Sequence, residues 1–436
     1  MAKDSTMILR GGQFASEDSA DLQQADLWLE NGRVKALGPN VPATDGVPEI
    51  DCTGRILMPG LFDAHVHLRE PGREDKETIA TGSEAAINGG VTGIVAMPNC
   101  TPAIDSAGMV QSVLDIASRD SRIPVFTTGC ITKGRAGEEL ANIGGMHARG
   151  AVMITDDGDP VGNHQLLRRA MEYAREFGLI VASHCEVKEL SGTGAMNESE
   201  VSYRLGVQGI PACSEEICIS RDIRLAQLTG AHVHIQHVTS GEGMTIIERF
   251  KNEGVKVTCE VAPHHLIFNE NHIEDYDTHY KMNPPLRAPE DNAILLDGLK
   301  RGVFDLIATD HAPHTDFEKK QDFGNAPFGI TGLETALPSL YHHFIQSGVF
   351  GWDLLVKRYA QEPRRLLGLN PVSFDEGAKV DLTIFNPDGE SHFTTDFMKS
   401  KSKNTPFLDR KVRGLVEMVL LEDEILLDRL PRPATS

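Results

Sequence analysis

Residues 61–69 read Leu61-Phe62-Asp63-Ala64-His65-Val66-His67-Leu68-Arg69, an apolar run that ends in two histidines and an arginine. Side chains alternate along a β-strand, so His65 and His67 point to the same face. Two neutral imidazoles at the end of a buried strand form half of a metal site and leave room for further ligands and water. A single His-x-His pair is a weak signal, because many such pairs are ordinary surface or core histidines. The rest of the chain decides whether the other half exists.

Seven more strand-like apolar runs follow, and helix-like segments separate them. The eight runs are Leu61–His67, Val91–Met97, Ile123–Gly129, Ala151–Asp157, Leu179–His184, His232–His237, Val255–Val261 and Phe304–Asp310. The helix-like segments include Asp75–Asn88, Gly162–Phe177, Ser214–Thr229 and Glu242–Asn252. Eight strand–helix units in about 320 residues predict a (β/α)8 barrel of the TIM type with insertions. The alternative is an open doubly wound sheet, which requires a Gly-rich nucleotide-binding turn after its first strand, and none is present there.

The two ends of the chain read as β structure. An Asn31-Gly32 pair between short apolar strands is the strongest local signal for a hairpin. Residues 378–385 alternate between polar and apolar side chains, and residues 416–427 are rich in strand formers. We therefore expect residues 1–58 and 375–436 to build one small β-sandwich domain, and residues 59–374 to form the barrel. The polar piece 391–404 reads as a loop or as a poorly ordered stretch.

Charge and composition argue against several classes of partner. The chain has 42 Lys and Arg residues against 63 Asp and Glu residues, a net charge of −21, which argues against binding to nucleic acid or to an anionic membrane. No run of about 18 apolar residues predicts a membrane span, and the N-terminus lacks the apolar core of a signal peptide. The seven cysteines include no Cys-x-x-Cys pair. These features predict reduced thiols and a cytoplasmic protein.

Metal-ligand residue types recur at the ends of five of the eight runs. Active sites of (β/α)8 barrels lie at the carboxyl ends of the strands. The residues are His65 and His67, then Asp156 and Asp157, then His184, then His237, and finally Asp310 with His311 and His314. Four imidazoles and two carboxylates can hold two divalent ions, and a carboxylate bridging both ions suits zinc with a hydroxide in the open position. The sequence thus predicts a binuclear site in the barrel mouth.

Each of these side chains has an ordinary structural explanation when taken alone. Asp156 and Asp157 precede Gly158, as turn residues do. His184 reads equally well as a buried histidine bonded to backbone, and the Asp310–His314 segment as a loop. His237 shares its segment with His232 and His234, and at most two of the three are expected to be ligands. The metal site is favoured because all these residues recur at one geometric position.

Five stretches, taken together, resemble the motifs of a known family. They are Asp63–Gly72, Ala96–Pro102, Lys281–Arg287, Ala308–His314 and Ala326–Ile330. In sequence and in order they are similar to the motifs of the dihydroorotases, in the large, bacterial-type branch of that family within the amidohydrolase superfamily. The resemblance runs from about Gly32 to the C-terminus.

The resemblance implies a ligand set for two zinc ions per chain. His65 and His67 would bind the more buried ion, and His184 and His237 the second. Many relatives bridge the ions with a carboxylated lysine, but the run Ala151–Asp157 contains no lysine. Asp157, with a hydroxide, would take the bridging place, which leaves Asp156 as an outer partner or loop cap. Asp310 would be both a ligand of the first ion and the catalytic proton shuttle.

The resemblance also implies the residues that contact substrate. Arg69, Asn99 and His314 would hold a substrate carboxylate, and Arg69 suits this task because guanidinium and carboxylate pair bidentately. Asn283 and the backbone of Phe328 and Gly329 would contact a pyrimidine-like ring, and His67 would face the substrate as well.

Several other candidates are set aside. We interpret His264 and His265 as outer partners or structural residues, because six ligands are already assigned. A thiolate from Cys185 would break the all-nitrogen-and-oxygen pattern. His147 and His392 fall outside the strand ends and are expected at the surface.

The resemblance implies dihydroorotase activity, the reversible hydrolysis of L-dihydroorotate to N-carbamoyl-L-aspartate in de novo pyrimidine (UMP) biosynthesis. The metal-bridging hydroxide would attack the ring carbonyl, and Asp310 would move the proton to the ring nitrogen. We expect a small-molecule substrate and a homo-oligomer, and association with an aspartate carbamoyltransferase stays open.

Two alternatives remain. One is another cyclic amidase, a hydantoinase, dihydropyrimidinase or allantoinase, against which the Arg69, Asn99 and His314 clamp argues. The other is an inactive dihydroorotase-like scaffold for the carbamoyltransferase, against which the complete ligand set argues.

Overall fold

The computed structural model describes residues 6–430, in which the chain forms two eight-stranded sheets and a short strand pair. In chain order the strands are β1 (Met7–Ser16), β2 (Ser19–Glu30), β3 (Arg33–Gly38), β4 (Glu49–Asp51), β5 (Ile56–Pro59), β6 (Leu61–Val66), β7 (Val91–Ala96), β8 (Val125–Gly129), β9 (Ala151–Ile154), β10 (Ile180–Ser183), β11 (Met196–Asn197), β12 (Gly209–Ile210), β13 (His232–Ile235), β14 (Val257–Val261), β15 (Leu306–Ile307), β16 (Asp381–His392), β17 (Lys411–Leu421) and β18 (Glu424–Asp428).

Helices fill most of the connections between the barrel strands. Within residues 6–430 the α-helices are α1 (Ile79–Asn88), α2 (Ala107–Asp120), α3 (Ile143–His147), α4 (His164–Glu176), α5 (Lys188–Ser191), α6 (Glu200–Leu205), α7 (Cys213–Thr229), α8 (Gly241–Asn252), α9 (Pro263–Ile267), α10 (Pro289–Arg301), α11 (Asp316–Lys319), α12 (Ala336–Leu340), α13 (Trp352–Val356) and α14 (Glu362–Leu366). Short 3-10 helices lie at Lys133–Arg135, Glu270–His272 and Thr278–Tyr280, and π-helical turns at Tyr341–Ile345 and Lys357–Gln361. None of these helices is both long and apolar enough to cross a membrane.

Eight parallel strands form the barrel. Their order is β6-β7-β8-β9-β10-β13-β14-β15. A parallel bridge between Val66 and His311 joins the two ends of this sheet, and the His67 N–H donates to the His311 carbonyl at 2.8 Å. Each of the eight predicted runs contains one of these strands, so the predicted (β/α)8 fold is confirmed.

The barrel strands are buried on both faces, which is why their sequences read as nearly continuous apolar runs. On β14, Val257, Cys259 and Val261 belong to the cluster that packs against the helices. Thr258 and Glu260 alternate with them and therefore point into the barrel. The interior of this barrel is thus polar toward the carboxyl ends of its strands.

Both ends of the chain build the second sheet, as predicted. Its order is β18-β17-β16-β5-β1-β2-β3, with β4 paired to β1. The β2–β3 connection is the predicted hairpin, in which Asn31 and Gly32 have φ of +50° and +72°, as a tight hairpin turn requires. One apolar cluster joins the two chain ends, with Leu9 and Leu27 packed together with Leu382 and Met418. The domain boundaries at residues 58/59 and 374/375 stay an interpretation of this arrangement.

The segment between β16 and β17 leaves the small sheet and packs on the barrel. It has no helix or strand, as expected of a loop. Phe393, Ser400 and Asn404 on it are nevertheless buried, so the expectation of a poorly ordered stretch does not fit. The Lys401 N–H donates to Glu77 at 2.9 Å, which anchors this loop beside α1. The C-terminal part of the chain therefore helps to build the mouth of the barrel.

Candidate active site

The six predicted metal ligands converge at the carboxyl ends of five barrel strands. His65 lies near the end of β6, within an irregularity in the β6–β7 register between Asp63 and Val66, and His67 directly follows the strand. The others follow β9, β10, β13 and β15 and are Asp157, His184, His237 and Asp310. All six are buried, with at most 8% of their surface exposed. Residues that are far apart in sequence thus form one polar cluster.

The Asp157 carboxylate lies at the centre of this cluster. Its Oδ1 is 3.7 Å from His65 Nε2, 3.9 Å from His184 Nδ1 and 3.9 Å from His237 Nε2. Its Oδ2 is 3.5 Å from His67 Nε2. One carboxylate therefore faces all four imidazoles, which is the arrangement that a bridging ligand requires.

Asp310 lies on the other side of the two histidines of β6. Its Oδ1 is 2.9 Å from His67 Nε2 and 3.4 Å from His65 Nε2. Two sets of three ligand atoms are each close enough together to hold one ion, namely His65, His67 and Asp310, and His65, Asp157 and His237. Both sets include His65, so the two carboxylates lie on either side of this one imidazole.

The donor chemistry fits divalent metal ions. His184 Nδ1 and His237 Nε2 are only 2.9 Å apart, and His237 Nδ1 is a buried nitrogen with no hydrogen-bond partner. A shared cation would compensate the loss of hydration of nitrogen atoms and carboxylate oxygens packed this closely. Imidazole and carboxylate ligands in such numbers suit zinc and its neighbours in the transition series. The residues present can therefore hold a metal centre.

Local electrostatics keep both carboxylates ionised. Burial alone would raise the pKa of Asp157, but hydrogen bonds from His237 and His65 outweigh it and hold that pKa well below its usual value. The pKa of Asp310 is lowered too, since His65 and His67 overcome the effect of burial. Burial lowers the pKa of His67, which favours the neutral imidazole that a metal requires.

Three site residues have left-handed backbone conformations that non-glycine residues rarely adopt. Arg69, His237 and Asp310 have φ of +58°, +31° and +48°. Such conformations cost about 1–3 kcal/mol each and collect at functional sites. The conformation of His237 also decides which of the three histidines in and directly after β13 is available to a metal. His232 and His234 bond to Thr258 inside the barrel, whereas the backbone turn at His237 directs its side chain into the ligand cluster.

The residues that hold the ligands in place were not predicted from the sequence. Glu260 on β14 lies 2.5 Å from His65 Nδ1, accepts a hydrogen bond from the His237 N–H at 3.1 Å, and lies 3.0 Å from His234 Nε2. Burial would raise the pKa of Glu260, but His65 and His234 lower it, so this carboxylate is charged. An acidic residue inside an otherwise apolar strand was the available signal, because a buried charge requires a partner.

Two further ligands have partners for their outer nitrogens. His184 Nε2 is 3.3 Å from Glu186, which also accepts from Asn283 at 3.2 Å and pairs with Lys188 at 2.6 Å. His67 Nδ1 is 2.7 Å from the Asn99 side-chain oxygen. These contacts fix the orientation of the rings and leave the other nitrogen of each facing the cluster.

The residues set aside on sequence grounds lie outside the ligand cluster. Asp156 caps a loop by accepting from the Ile131 N–H at 2.8 Å and the Thr132 N–H at 3.1 Å, while burial raises its pKa to about 6. Cys185 points to Asp222 and not to the cluster. The remaining residues agree with the expectations made for them: His264 and His265 are buried near the site without joining a ligand set, and His147 and His392 are exposed.

A cavity of about 270 Å³ opens above the ligands. All seven residues predicted to contact substrate line it, namely His67, Arg69, Asn99, Asn283, His314, Phe328 and Gly329. Asp157, His184, His237 and Asp310 form its floor, and Glu186 and Lys188 contribute to its wall. The metal ligands and the predicted substrate residues thus share one chamber.

Arg69 offers an uncompensated positive charge at one side of this cavity. Its Nε donates to the Pro313 carbonyl at 3.2 Å, and its Nη2 is 3.4 Å from His314 Nε2. Among residues 6–430 no carboxylate forms an ion pair with it. Burial, together with the charges of Arg69 and Lys76, holds the pKa of His314 well below its usual value. An arginine beside a neutral histidine is a site for an anionic group of a ligand.

Gly329 lines the cavity beside His314. Its N–H donates to the Lys281 carbonyl at 3.0 Å, so this donor is already used within the protein. A Cβ at this position would lie 2.7 Å from the Ala312 Cβ, and φ is +125°. Only glycine fits here, because its missing side chain lets the backbone pack directly against Ala312 and His314.

Comparisons with known proteins agree with this fold and identify a family. A family model described as "Dihydro-orotase-like" matches residues 54–243. Dihydroorotase of Pelotomaculum thermopropionicum is 41% identical over 98% of this chain and 100% of its own length. Dihydroorotase of Desulforapulum autotrophicum is 44% identical over 93% of this chain and 96% of its own length.

Among solved structures, the L-hydantoinase (dihydropyrimidinase) of Arthrobacter aurescens superposes with a TM-score of 0.86 at 22% identity, covering 98% of this chain and 97% of that one. The D-hydantoinase (dihydropyrimidinase) of a Thermus species gives a TM-score of 0.81 at 22% identity over 98% and 96%. At this identity the structures share the fold alone, whereas the sequence similarity extends over the full length. The chain therefore belongs to the dihydroorotase family.

Proposed function

We propose that this protein is a dihydroorotase, which catalyses the reversible hydrolysis of L-dihydroorotate to N-carbamoyl-L-aspartate in de novo pyrimidine biosynthesis. The observation that carries this proposal is the position of Arg69, an arginine without a carboxylate partner, in the same cavity as the metal-ligand cluster. The substrate is a cyclic amide that bears a carboxylate, so it needs both a hydrolytic centre and a cationic clamp. Relatives with the name dihydroorotase support the same conclusion.

Two zinc ions per chain are the proposed cofactor. His65, His67 and Asp310 would hold the more buried ion, His184 and His237 the second, and Asp157 would bridge them, as its distances to all four imidazoles favour. When bound, such ions supply a nucleophilic water near neutral pH and stabilise the negative charge that develops on the carbonyl oxygen.

The protein binds and orients the substrate through the cavity wall. Arg69, with Asn99 and His314 beside it, holds the substrate carboxylate, and the buried setting strengthens this pairing. Asn283 contacts the ring, and the space beside Gly329 accommodates it. The carboxylate end is thereby fixed at one side, and the amide to be cleaved lies over the ligand cluster.

Asp310 is the proposed proton carrier. Its carboxylate lines the cavity, and hydrogen bonding to His67 keeps it ionised. It takes a proton from the attacking water and delivers it to the ring nitrogen that departs. A single carboxylate suffices for both transfers if it lies within hydrogen-bond reach of both atoms.

The alternatives are less well supported. A hydantoinase or allantoinase binds a neutral ring and has no use for the Arg69 clamp, and the likeness to hydantoinase structures concerns the fold. An inactive scaffold would not need six buried ligand residues in one cluster. Homo-oligomer formation and association with an aspartate carbamoyltransferase stay predictions, and so does the cytoplasmic location inferred from the cysteines and the N-terminus.

A substrate panel tests the proposal. Purified zinc-loaded protein is incubated with L-dihydroorotate, hydantoin, dihydrouracil and allantoin, with and without a chelator, and ring opening is followed by chromatography. We expect turnover of dihydroorotate only, its loss on chelation, and up to about two zinc ions per chain by elemental analysis. Preferential turnover of a neutral ring, or active protein with less than about half a zinc per chain, would contradict the proposal.

Replacing Arg69 by Met tests the clamp in the same assay. A charge-assisted pair contributes about 1.5–3 kcal/mol to binding, so its loss should lower kcat/KM for dihydroorotate roughly 10- to 150-fold. Arg73→Met is the matched control, because Arg73 lies in the same loop but is paired with Asp75 and Glu318. If both variants lose the same activity, Arg69 has no special role and the substrate assignment moves toward neutral rings.

A further inference from the structure

Asn404 is a buried residue of the loop between β16 and β17 that the proposed mechanism does not use. Only 2% of its surface is exposed. It lies at the barrel mouth, although the rest of its chain region builds the small β domain. Its side chain is uncharged, so its contribution has to come from the hydrogen bonds of its carboxamide.

The oxygen and both N–H groups of this carboxamide bond to two loops that line the cavity. The His314 loop contains Ala312 and His314, and the Gly329 loop contains Gly329. Oδ1 accepts from the His314 N–H at 2.9 Å. Nδ2 donates to the Ala312 carbonyl at 3.0 Å and to the Gly329 carbonyl at 3.0 Å. A carboxamide provides one acceptor oxygen and two N–H donors, so Asn has the required groups and the required length.

These two loops form the substrate-carboxylate end of the cavity. His314 Nε2 lies 3.4 Å from Arg69 Nη2, and it would lie only 3.2 Å from a Cβ on Gly329. The relative position of the two loops therefore sets the space beside the His314 ring. Lys319 binds the Gly329 carbonyl from another side at 3.1 Å, but Asn404 is the side chain that bonds to both loops.

The loop that carries Asn404 is anchored independently of this side chain. The Ser402 hydroxyl donates to the Lys76 carbonyl at 2.7 Å, and the N–H groups of Lys399 and Ser400 donate to Glu334 at 2.6 Å and 3.2 Å. The two cavity loops are also joined directly, because the Ala312 N–H donates to the Ile330 carbonyl at 2.8 Å. The Asn404 carboxamide adds a second connection, which reaches His314 and Gly329 beyond that backbone bond.

We propose that Asn404 is a positioning residue that determines affinity for the substrate carboxylate by fastening the His314 loop to the Gly329 loop. This inference rests on the proposed function and extends it to a residue that touches neither the metal ligands nor the substrate. Its expected signature is a change in substrate binding without a matching change in chemistry or metal content.

The test compares Asn404→Ala and Asn404→Asp with the parent protein. Asp keeps the acceptor oxygen but turns a second oxygen toward two carbonyl groups, so it should be the more damaging variant. We expect KM for dihydroorotate to rise about tenfold or more while kcat changes by less than about threefold. Bound zinc should be unchanged, and calorimetry of zinc-loaded protein should show orotate, a ring carboxylate that is not hydrolysed, binding about tenfold more weakly.

Asn88→Ala is the matched control. Asn88 is also buried and bonds to the same loop through the Phe397 carbonyl at 3.0 Å, but it does not line the cavity. Asn88→Ala should retain the KM and orotate affinity of the parent protein, even if its melting temperature falls as much as that of the Asn404 variants.

Three results would overturn the inference. One is a parent-like KM and orotate affinity in folded Asn404 variants. Another is a parallel fall in kcat, zinc content and affinity, as general loosening of the site would produce. The third is failure of both variants to fold, which would make the carboxamide a folding requirement. Failure of the proposed function itself is distinguishable, because the parent protein would then not turn over dihydroorotate.

Discussion

At the scale of single residues, the four imidazoles around Asp157 share one requirement: each must present its inward nitrogen without a proton. Glu260, Asn99 and Glu186 favour this state in His65, His67 and His184, because each can accept a hydrogen bond from the outer nitrogen when a metal replaces the inward proton. Asp310 differs from the other residues of the cluster because it is the proposed proton carrier, and its carboxylate lines the cavity. Ligand geometry and proton transfer can therefore be separated by substitutions at different residues.

Asp310→Asn should separate the chemistry from metal binding. The amide keeps the shape and a weak oxygen ligand but cannot accept and deliver the proton. General acid–base groups typically accelerate a reaction about 10²–10⁴-fold, so kcat should fall at least about 10²-fold. Bound zinc should fall little, since five ligands remain. Both quantities are measured on one preparation. If kcat and bound zinc fall together and added zinc restores both, Asp310 acts only as a metal ligand.

Glu260→Gln should weaken metal binding. Gln preserves the size of the side chain but removes the charge that faces His65 Nδ1. Loss of such an outer partner typically costs about 10- to 100-fold in metal affinity, which competition with a zinc chelator measures. Glu334→Gln is the control, because Glu334 is equally buried but accepts from Asn88, Lys399 and Ser400 and not from a ligand. Equal zinc affinity in both variants would refute the role of Glu260.

At the scale of secondary-structure elements, the short helix α11 connects two loops of the mouth. Thr315 and Glu318 form a capping box at its start. Glu318 also pairs with Arg73 at 2.9 Å and Lys76 at 2.9 Å, and Lys76 lies 3.0 Å from His314 Nδ1. Four residues of helix would not persist alone, so these contacts with the loop after β6 stabilise it.

Glu318→Gln should therefore show a pH-dependent loss of stability. Burial opposes ionisation, but Lys76 and Arg73 outweigh it and lower the pKa of Glu318 from 4.5 to about 2. A carboxylate whose pKa is lower in the folded state stabilises the protein fully above the unfolded value of 4.5. This stabilisation disappears as the pH falls toward about 2.

Thermal unfolding over a series of pH values checks this sign. The melting temperature of Glu318→Gln should be lower than that of the parent protein near neutral pH, and the difference should shrink below pH 4.5. Asp316→Asn is the control on the same helix, because its ion pair with Lys320 is exposed and contributes little at any pH. A difference that grows on acidification would contradict the assignment.

At the scale of the whole molecule, a buried ion pair joins the barrel to the small sheet. Arg364 on α14 donates to Asp381 at the start of β16 at 2.6 Å, to the Gly60 carbonyl at 2.9 Å and to Thr92 at 3.0 Å. Burial raises the pKa of Asp381 even beside this arginine, so an unpaired Asp381 would be costly. The pair holds β16 against the start of β6.

Arg364→Met should destabilise the whole chain. Removing one partner of a buried pair costs about 3–5 kcal/mol, because the other charge stays buried and unpaired. Arg365→Met, next in the chain, removes more exposed pairs with Glu17 and Glu362 and should cost about 0–1 kcal/mol. Urea unfolding measures both. Equal losses of unfolding free energy in the two variants would show that the Arg364–Asp381 pair does not join the barrel to the small sheet.

Local sequence patterns determined most of the architecture. The eight apolar runs, the Asn31-Gly32 hairpin and the strand-end positions of the six ligands could all be predicted, because burial, turn conformation and side-chain alternation are encoded within a few residues. Helix starts were less well predicted: α1 begins at Ile79 and not near Asp75, since the capping box of Thr78 fixes its first turn.

Tertiary structure decided what depends on residues that are distant in sequence. It selected His237 over His232 and His234 through a left-handed backbone that strand alternation does not foresee. It also brought Glu260 against His65, 195 positions away, and Asn404 against His314, 90 positions away. A hydrogen bond between two loops leaves no periodic signal in either segment, because each loop follows its own path and only the closed barrel brings them together.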